Sequence, residues 1–242
     1  MTTFIDLTNR LLRRLNEVQI QDSDFISATG IQATAKDAIQ DTLREINTRR
    51  LDWAFNAVEH TQILAVGVEE YAWEDNFAAV DWQSFSIMKS ASLNVNTKPL
   101  KVISREEWYK LSKPDDYDSE TSGRNIPDFV CPTHGNGFAV TPSPNQPYTV
   151  QYRYYKVPDD LVNSTDTTEI PPRFDQVIIS GALTHMGLFK EDNELVAISQ
   201  QKFERGLMTM VNMLTAGPEY MQTGVINRPG PTSGSTGFWW GY

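Results

Sequence analysis

Three histidines, His60, His134 and His185, and one cysteine, Cys131, are the side chains best suited to acid-base, metal or nucleophilic chemistry. Such chemistry needs several of these groups to converge, and no two share a compact motif. Thr133-His134-Gly135-Asn136-Gly137 has glycines that would expose its histidine, but the same residues make a hairpin turn. Asp115-Asp116-Tyr117-Asp118 offers oxygen ligands for a hard cation, yet lacks the glycine and closing glutamate of a calcium loop. As a hydrolase pair, Asp115 and Asp118 would need an apolar pocket to raise one pKa, and their neighbours are polar. The chain has no GxxxxGK[ST] loop, dinucleotide fingerprint, HExxH or GxSxG. The expectation is a non-enzymatic protein with no catalytic residue, cofactor or metal.

The remaining dense chemistry is aromatic. Tyr148, Val150, Tyr152 and Tyr154 alternate, which fits a strand burying every second side chain better than a sugar-stacking face. A carbohydrate- or receptor-binding role for such a face stays the alternative reading. A second concentration closes the chain: Phe238, Trp239, Trp240 and Tyr242 follow a Gly-, Ser- and Pro-rich run that cannot form a packed core. Each large ring buries on the order of 150–250 Å², and rings of this kind dominate interface hot spots. Residues 217–242 are therefore expected to form an extended arm whose four aromatics bind a partner.

Composition limits the partner classes. The chain has 242 residues, 40% apolar and 21% charged, enough to bury a core without disulfides. With 31 acidic and 21 basic residues the formal net charge is -10. That charge opposes adhesion to nucleic acid or anionic lipid, yet suits a wall past which DNA slides. A single cysteine excludes an internal disulfide, and no run approaches a membrane span, so a soluble, unsecreted protein is expected.

The elements follow from hydrophobic period. Phe4, Leu7, Leu11, Leu15 and Val18, with Thr3 and Asp6 as a capping box, predict a helix over 3–18. Thr29-Gly30-Ile31-Gln32 reads as a second capping box before Ala35, Ile39, Leu43, Ile46 and Trp53, with the helix ending near Asp52. Short strand signals run from Val58 to Ile103 and again from Phe129 to Tyr154, with residues 142–147 as a hairpin connection. Between them Ser104 caps a short helix through Leu111, and residues 114–125 are a polar loop. Pro171-Pro172 opens a third long helix carrying Val177, Ile178, Gly181, Ala182, His185 and Leu188 or Phe189, whose Gly181 and Gly187 suit close packing. The last helix carries Val196, Phe203, Leu207, Met210 and Leu214, and stops at Gly217-Pro218.

These elements predict an α+β fold: an antiparallel helical bundle made from the N- and C-terminal helix pairs, an inserted β-sandwich or β-barrel module, and the arm. The expected divisions are 1–54, 55–168, 169–216 and 217–242.

The junction Ile46-Asn47-Thr48-Arg49-Arg50-Leu51-Asp52-Trp53-Ala54-Phe55-Asn56 before a strand, and Ile170-Pro171-Pro172-Arg173-Phe174 before two helices, resemble the head-to-tail adaptors, or tail tubular A proteins, of short-tailed phages. The resemblance covers most of residues 3–214. It implies a ring of twelve copies below the portal protein, with a tail nozzle or fibre protein beneath and DNA passing through without specific binding. It also implies assembly in the host cytoplasm and a place at the head-tail junction of the virion. Phe238, Trp239, Trp240 and Tyr242 would then grip the portal or a neighbouring adaptor.

Overall fold

The computed structural model describes residues 2–90, 96–112 and 123–214. Helix α1 spans Phe4–Arg14, with Thr3 accepting from the Asp6 amide and the Asp6 carboxylate reaching back, as the capping box requires. It stops four residues earlier than its apolar pattern suggests. Asn16 adopts φ 56, the Glu17 amide donates to the Leu12 carbonyl at 2.9 Å, and Val18 is exposed. This is a Schellman stop, set by a local left-handed residue that hydrophobic period does not report.

Helix α2, Ile31–Arg49, buries Ala35, Ile39, Leu43 and Ile46 as expected. Its cap differs: Gly30 occupies the N-cap at φ 62, no side chain caps the helix, and Trp53 is buried beyond its end. The Trp53 indole donates to the Ile46 carbonyl at 3.0 Å, so this ring folds back onto the helix that it follows.

The middle of the chain forms two separate four-stranded sheets, which makes the module a sandwich. One has the order β1-β8-β3-β4, from Ala57–Leu64, Tyr148–Lys156, Phe77–Ile87 and Lys98–Pro99. The other has the order β2-β7-β6-β5, from Glu70–Ala72, Gly137–Thr141, Phe129–Pro132 and Lys101–Val102. Phe85, Ile87, Val150 and Tyr152 of the first meet Val130, Phe138 and Val140 of the second in one buried cluster. The Phe85 and Tyr152 rings stack at 4.8 Å, and Trp73 lies 4.9 Å from Phe138.

Strands β5 and β6 are parallel, a pairing that needs a crossover, and α3 (Arg105–Ser112) supplies part of it. Ser104 caps α3 as expected, accepting from the Glu107 amide at 3.2 Å. Residues 133–137 turn the β6-β7 hairpin. The 142–147 segment does not form a hairpin, because β7 and β8 belong to different sheets. It crosses the sandwich instead, tied through the Asn125 amide to Ser143 and the Gly67 amide to Pro144, each at 2.9 Å.

Helix α4, Asp175–Phe189, follows a short 3-10 turn at Pro172–Phe174. Ten of its fifteen residues are buried, with Gln176 exposed and Thr184 and His185 half-buried on the remaining face, and it contacts α1, α2 and α5. Leu188 and Phe189, expected on the buried stripe, are exposed at its end. Glu191 at φ 57 closes a second Schellman stop, and Asp192 then caps α5, Asn193–Leu214, through the Leu195 amide at 3.0 Å.

Gly181 is where three helices come closest. A Cβ there would lie 2.4 Å from Thr42 Cγ2 on α2 and 3.0 Å from the Phe203 ring on α5. Thr42 cannot easily turn aside, since its hydroxyl donates to the Ala38 carbonyl at 2.7 Å. Gly187 and Gly206 play the same part between α4 and α5, meeting Val196 and Val177. Gly181→Ala should destabilise the protein by about 1–3 kcal/mol in urea unfolding, despite alanine's better helix propensity. Adding Thr42→Ser, which removes the opposing methyl and keeps the hydroxyl, should recover at least half of that loss.

Candidate assembly surface

Two chain crossings join the helical cluster to the sandwich, and both are held by specific contacts. The first covers residues 50–56. Trp53 stacks on Phe55 at 5.4 Å, and Asn56, buried, donates to Asn47 Oδ1 of α2 at 2.9 Å. Arg49 bridges Glu45 at 2.7 Å and Glu204 of α5 at 2.8 Å, and lies over the Phe203 ring. Arg50 clasps Asp52 and holds that carboxyl below the usual range. The last turn of α2 is thereby bonded to α5 and to the first strand's entry at once.

The second crossing runs from Val157 to Ile170. It closes over the start of α1: the Phe4 amide donates to Asp166 at 2.8 Å and the Ile5 amide to Ser164 at 3.1 Å. Leu161 and Ile170 bury themselves in the helical core. The Asp166 carboxylate receives the backbone amides of Asn163 and Val162 at 2.7 and 2.8 Å, and these bonds hold its pKa low. Arg44 of α2 binds Asp160 at 2.6 Å and depresses that carboxyl too. Between the crossings lies an open cleft of about 1100 Å³, lined by Arg44, Asn47, Phe55, Asn76, Asp160 and Thr168 among others. Its lining mixes amides, carboxylates and one ring.

The residues with chemical potential are scattered. His60 on β1 sits 3.3 Å from Glu74, while His185 on α4 lies 3.7 Å from Glu45. His134 is in the β6-β7 turn. Cys131 is buried beneath α3, where burial pushes its thiol pKa up although the Arg105 guanidinium opposes this. Among the described residues no three His, Cys, Asp or Glu side chains gather as a metal site would require. Among them, too, no helix is long and apolar enough to cross a membrane. Tyr148, Tyr152 and Tyr154 are 4, 1 and 5% exposed, so they build the sandwich core and present no stacking face to a sugar. Asp115, Asp116 and Asp118, and the four arm aromatics Phe238, Trp239, Trp240 and Tyr242, lie outside the described residues.

What the geometry offers is therefore connection. A family model described as SU10 adaptor protein matches residues 2–228, including both crossings and every described element. The chain belongs to the SU10 adaptor protein family. It is a phage adaptor, as the junction motifs implied. No curated protein matches the sequence. The match ends fourteen residues before Tyr242, so it leaves out Phe238, Trp239, Trp240 and Tyr242.

Sequence reasoning located both crossings but missed how they are fastened. Asn47 and Asn56, nine residues apart, carried the available signal: two amides flanking a buried tryptophan at a helix end. Nothing local marks Asp166 as the partner of its neighbours' amides.

Two outcomes test these fastenings. Trp53→Ala should cost about 3–5 kcal/mol in denaturant unfolding, the usual loss for a large buried ring. The depressed carboxyls of Asp52, Asp160 and Asp166 contribute stability that is present above the unfolded value near ~3.9 and lost as pH falls through their folded values. The melting temperature should drop from pH 5 to pH 2.5, with a shallower drop in Asp166→Asn; equal slopes in wild type and variant would show that this carboxylate contributes nothing.

Proposed function

We propose that the adaptor is the head-to-tail connector of its virion, forming a ring between the portal and a tail nozzle or fibre protein, with DNA passing through the centre. The observation that carries this reading is the family match over residues 2–228, which spans helical body, crossings and sandwich together. The resemblance to tail tubular A proteins suggests twelve copies. In this reading the four divisions make three working units: a helical body from 1–54 and 169–216, a sandwich at 55–168 and an arm at 217–242.

Physical features support the role. A connector must transmit position between two partners, and the doubly fastened crossings resist rotation of the sandwich against the helices. A net charge of -10, repeated around a ring, would keep DNA from adhering to the channel wall. The arm aromatics Phe238, Trp239, Trp240 and Tyr242 serve as anchors on the portal or on a neighbouring adaptor.

The test is to mix the full chain with purified portal and follow the product by negative-stain microscopy and binding titration. An added ring is expected below the portal. Deleting residues 218–242 should weaken binding by at least about a hundredfold, as losing two hot-spot side chains would. Unchanged binding by the shortened chain would remove the arm from the connector role.

A further inference from the structure

The sandwich carries one long, unguarded edge. β1 is the outer strand of its sheet, eight residues paired on one side with β8 in unbroken register from Ala57↔Tyr155 to Leu64↔Tyr148. The direction of its free groups can be read from β8. The Met88 amide donates to the Thr149 carbonyl, the Arg153 amide to Ser84 Oγ, and the Val157 amide to the Asn76 carbonyl. The odd positions of β8 thus face β3, and its even positions face β1 at Leu64, Gln62, His60 and Val58. The amides and carbonyls of Glu59, Thr61 and Ile63 consequently point away from the sheet, and none has a backbone partner among the described residues. Only Ala57, at the strand's start, has its amide taken up by the preceding turn, on the Ala54 carbonyl.

Natural edges are usually blunted by charge, proline, a bulge or brevity; β1 runs eight residues with no proline, lysine or bulge, and its one charged side chain, Glu59, is paired with Arg153 of β8. Ile63 at its far end is 69% exposed. The other edges in the two sheets, β4, β2 and β5, are two or three residues long and cannot fill it. The chain does hold one segment of the right length outside the described residues. Residues 219–228, a run of ten containing Val225-Ile226, are bracketed by Pro218 and Pro229-Gly230-Pro231, which cannot continue a ladder. The family match ends at Arg228, the end of that segment.

We propose that the 219–228 segment of a neighbouring copy adds as a strand to the open edge of β1, linking adaptors one to the next. Position favours a neighbour over the same chain. Leu214, where the arm leaves, shares a cleft with Ala57 and Glu59 at the start of β1. Antiparallel pairing, the mode throughout this sheet, requires entry at the Leu64 end, about 26 Å away along eight residues. The four residues 215–218 reach at most about 14 Å, so an arm doubling back on its own β1 would spend about four of the segment's ten residues on the way out and leave too few to cover the eight-residue strand. An arm arriving from a neighbour has no such limit. Because edge and arm are different surfaces, the contact is head-to-tail and closes as a ring when the rotation allows. The inference rests on the proposed function only in taking the arm as a link between subunits, and its test needs no portal.

Thr61→Pro removes an amide that points outward and takes no part in pairing with β8, while Val225→Pro breaks the arm strand and lies outside the described fold. In sedimentation velocity the full-length chain should self-associate, and each substitution should weaken association at least tenfold, with circular dichroism and melting temperature unchanged. The deciding sample is an equimolar mixture. Thr61→Pro retains an intact arm and Val225→Pro an intact edge, so together they should form dimers and nothing larger. A mixture that stays monomeric, a wild type that stays monomeric, or variants that associate like the wild type would each overturn the proposal. If Thr61→Pro is misfolded, unaltered association of Val225→Pro alone overturns it. Loss of portal binding on arm deletion, beside a monomeric mixture, would leave the connector reading standing and remove only the strand exchange.

Discussion

The architecture depends on α4 being surrounded. A helix buried around most of its circumference must be covered by others, and here the cover comes from α1 and α2 at one end of the chain and α5 at the other. Gly181 sets how closely they approach, because the absence of a side chain lets Thr42 and Phe203 meet the backbone from two directions. The start of the chain is fixed to the same helix by charge. Thr2 Oγ1 and Arg10 Nη1 each contact Asp175 Oδ2 at 2.6 Å at the first position of α4, where a carboxylate also complements the helix dipole. Everything between Arg50 and Pro171 is a loop thrown out from one helical core, and the sandwich is what fills it.

That arrangement explains why the crossings are fastened so thoroughly. The two cores share few apolar side chains, so their relative position depends on polar contacts in the connecting segments. Asn56 on Asn47, Arg49 between Glu45 and Glu204, and the backbone bonds of Ser164 and Asp166 to α1 divide this work between the entry and the exit. A single crossing would leave a hinge. Two, fixed to different helices, leave little freedom to turn.

Much of this was legible in the residues. Periods of 3.6 and 2 separated helices from strands, and the Thr3 and Ser104 caps marked two starts correctly. The errors share a cause: each concerned a property that hydrophobic period does not carry. Asn16 ends α1 by adopting a left-handed backbone, while Leu11 and Leu15 still look periodic. Residues 142–147 read like a hairpin because strand signals tell which face is buried but not which sheet a strand joins. The openness of β1 is likewise a fact about its missing neighbour, and no composition of β1 announces it. At the crossings, the junction motifs marked the positions and pointed to a phage adaptor, while the bonds securing them link residues far apart in sequence.

The insertion has a consequence for synthesis on the ribosome. Strands β1 to β8 are contiguous in the chain, so the sandwich has all its partners once residue 156 has emerged. Helices α1 and α2 emerge first and yet lack α4 until nearly the whole polypeptide has been made, leaving Leu7, Leu11, Ile39 and Ile46 without their final cover. The order of translation is thus the reverse of what the helical core needs, and the nascent adaptor carries a sticky amino-terminal pair for most of its elongation. Early helices of this kind are natural clients for a chaperone near the exit tunnel.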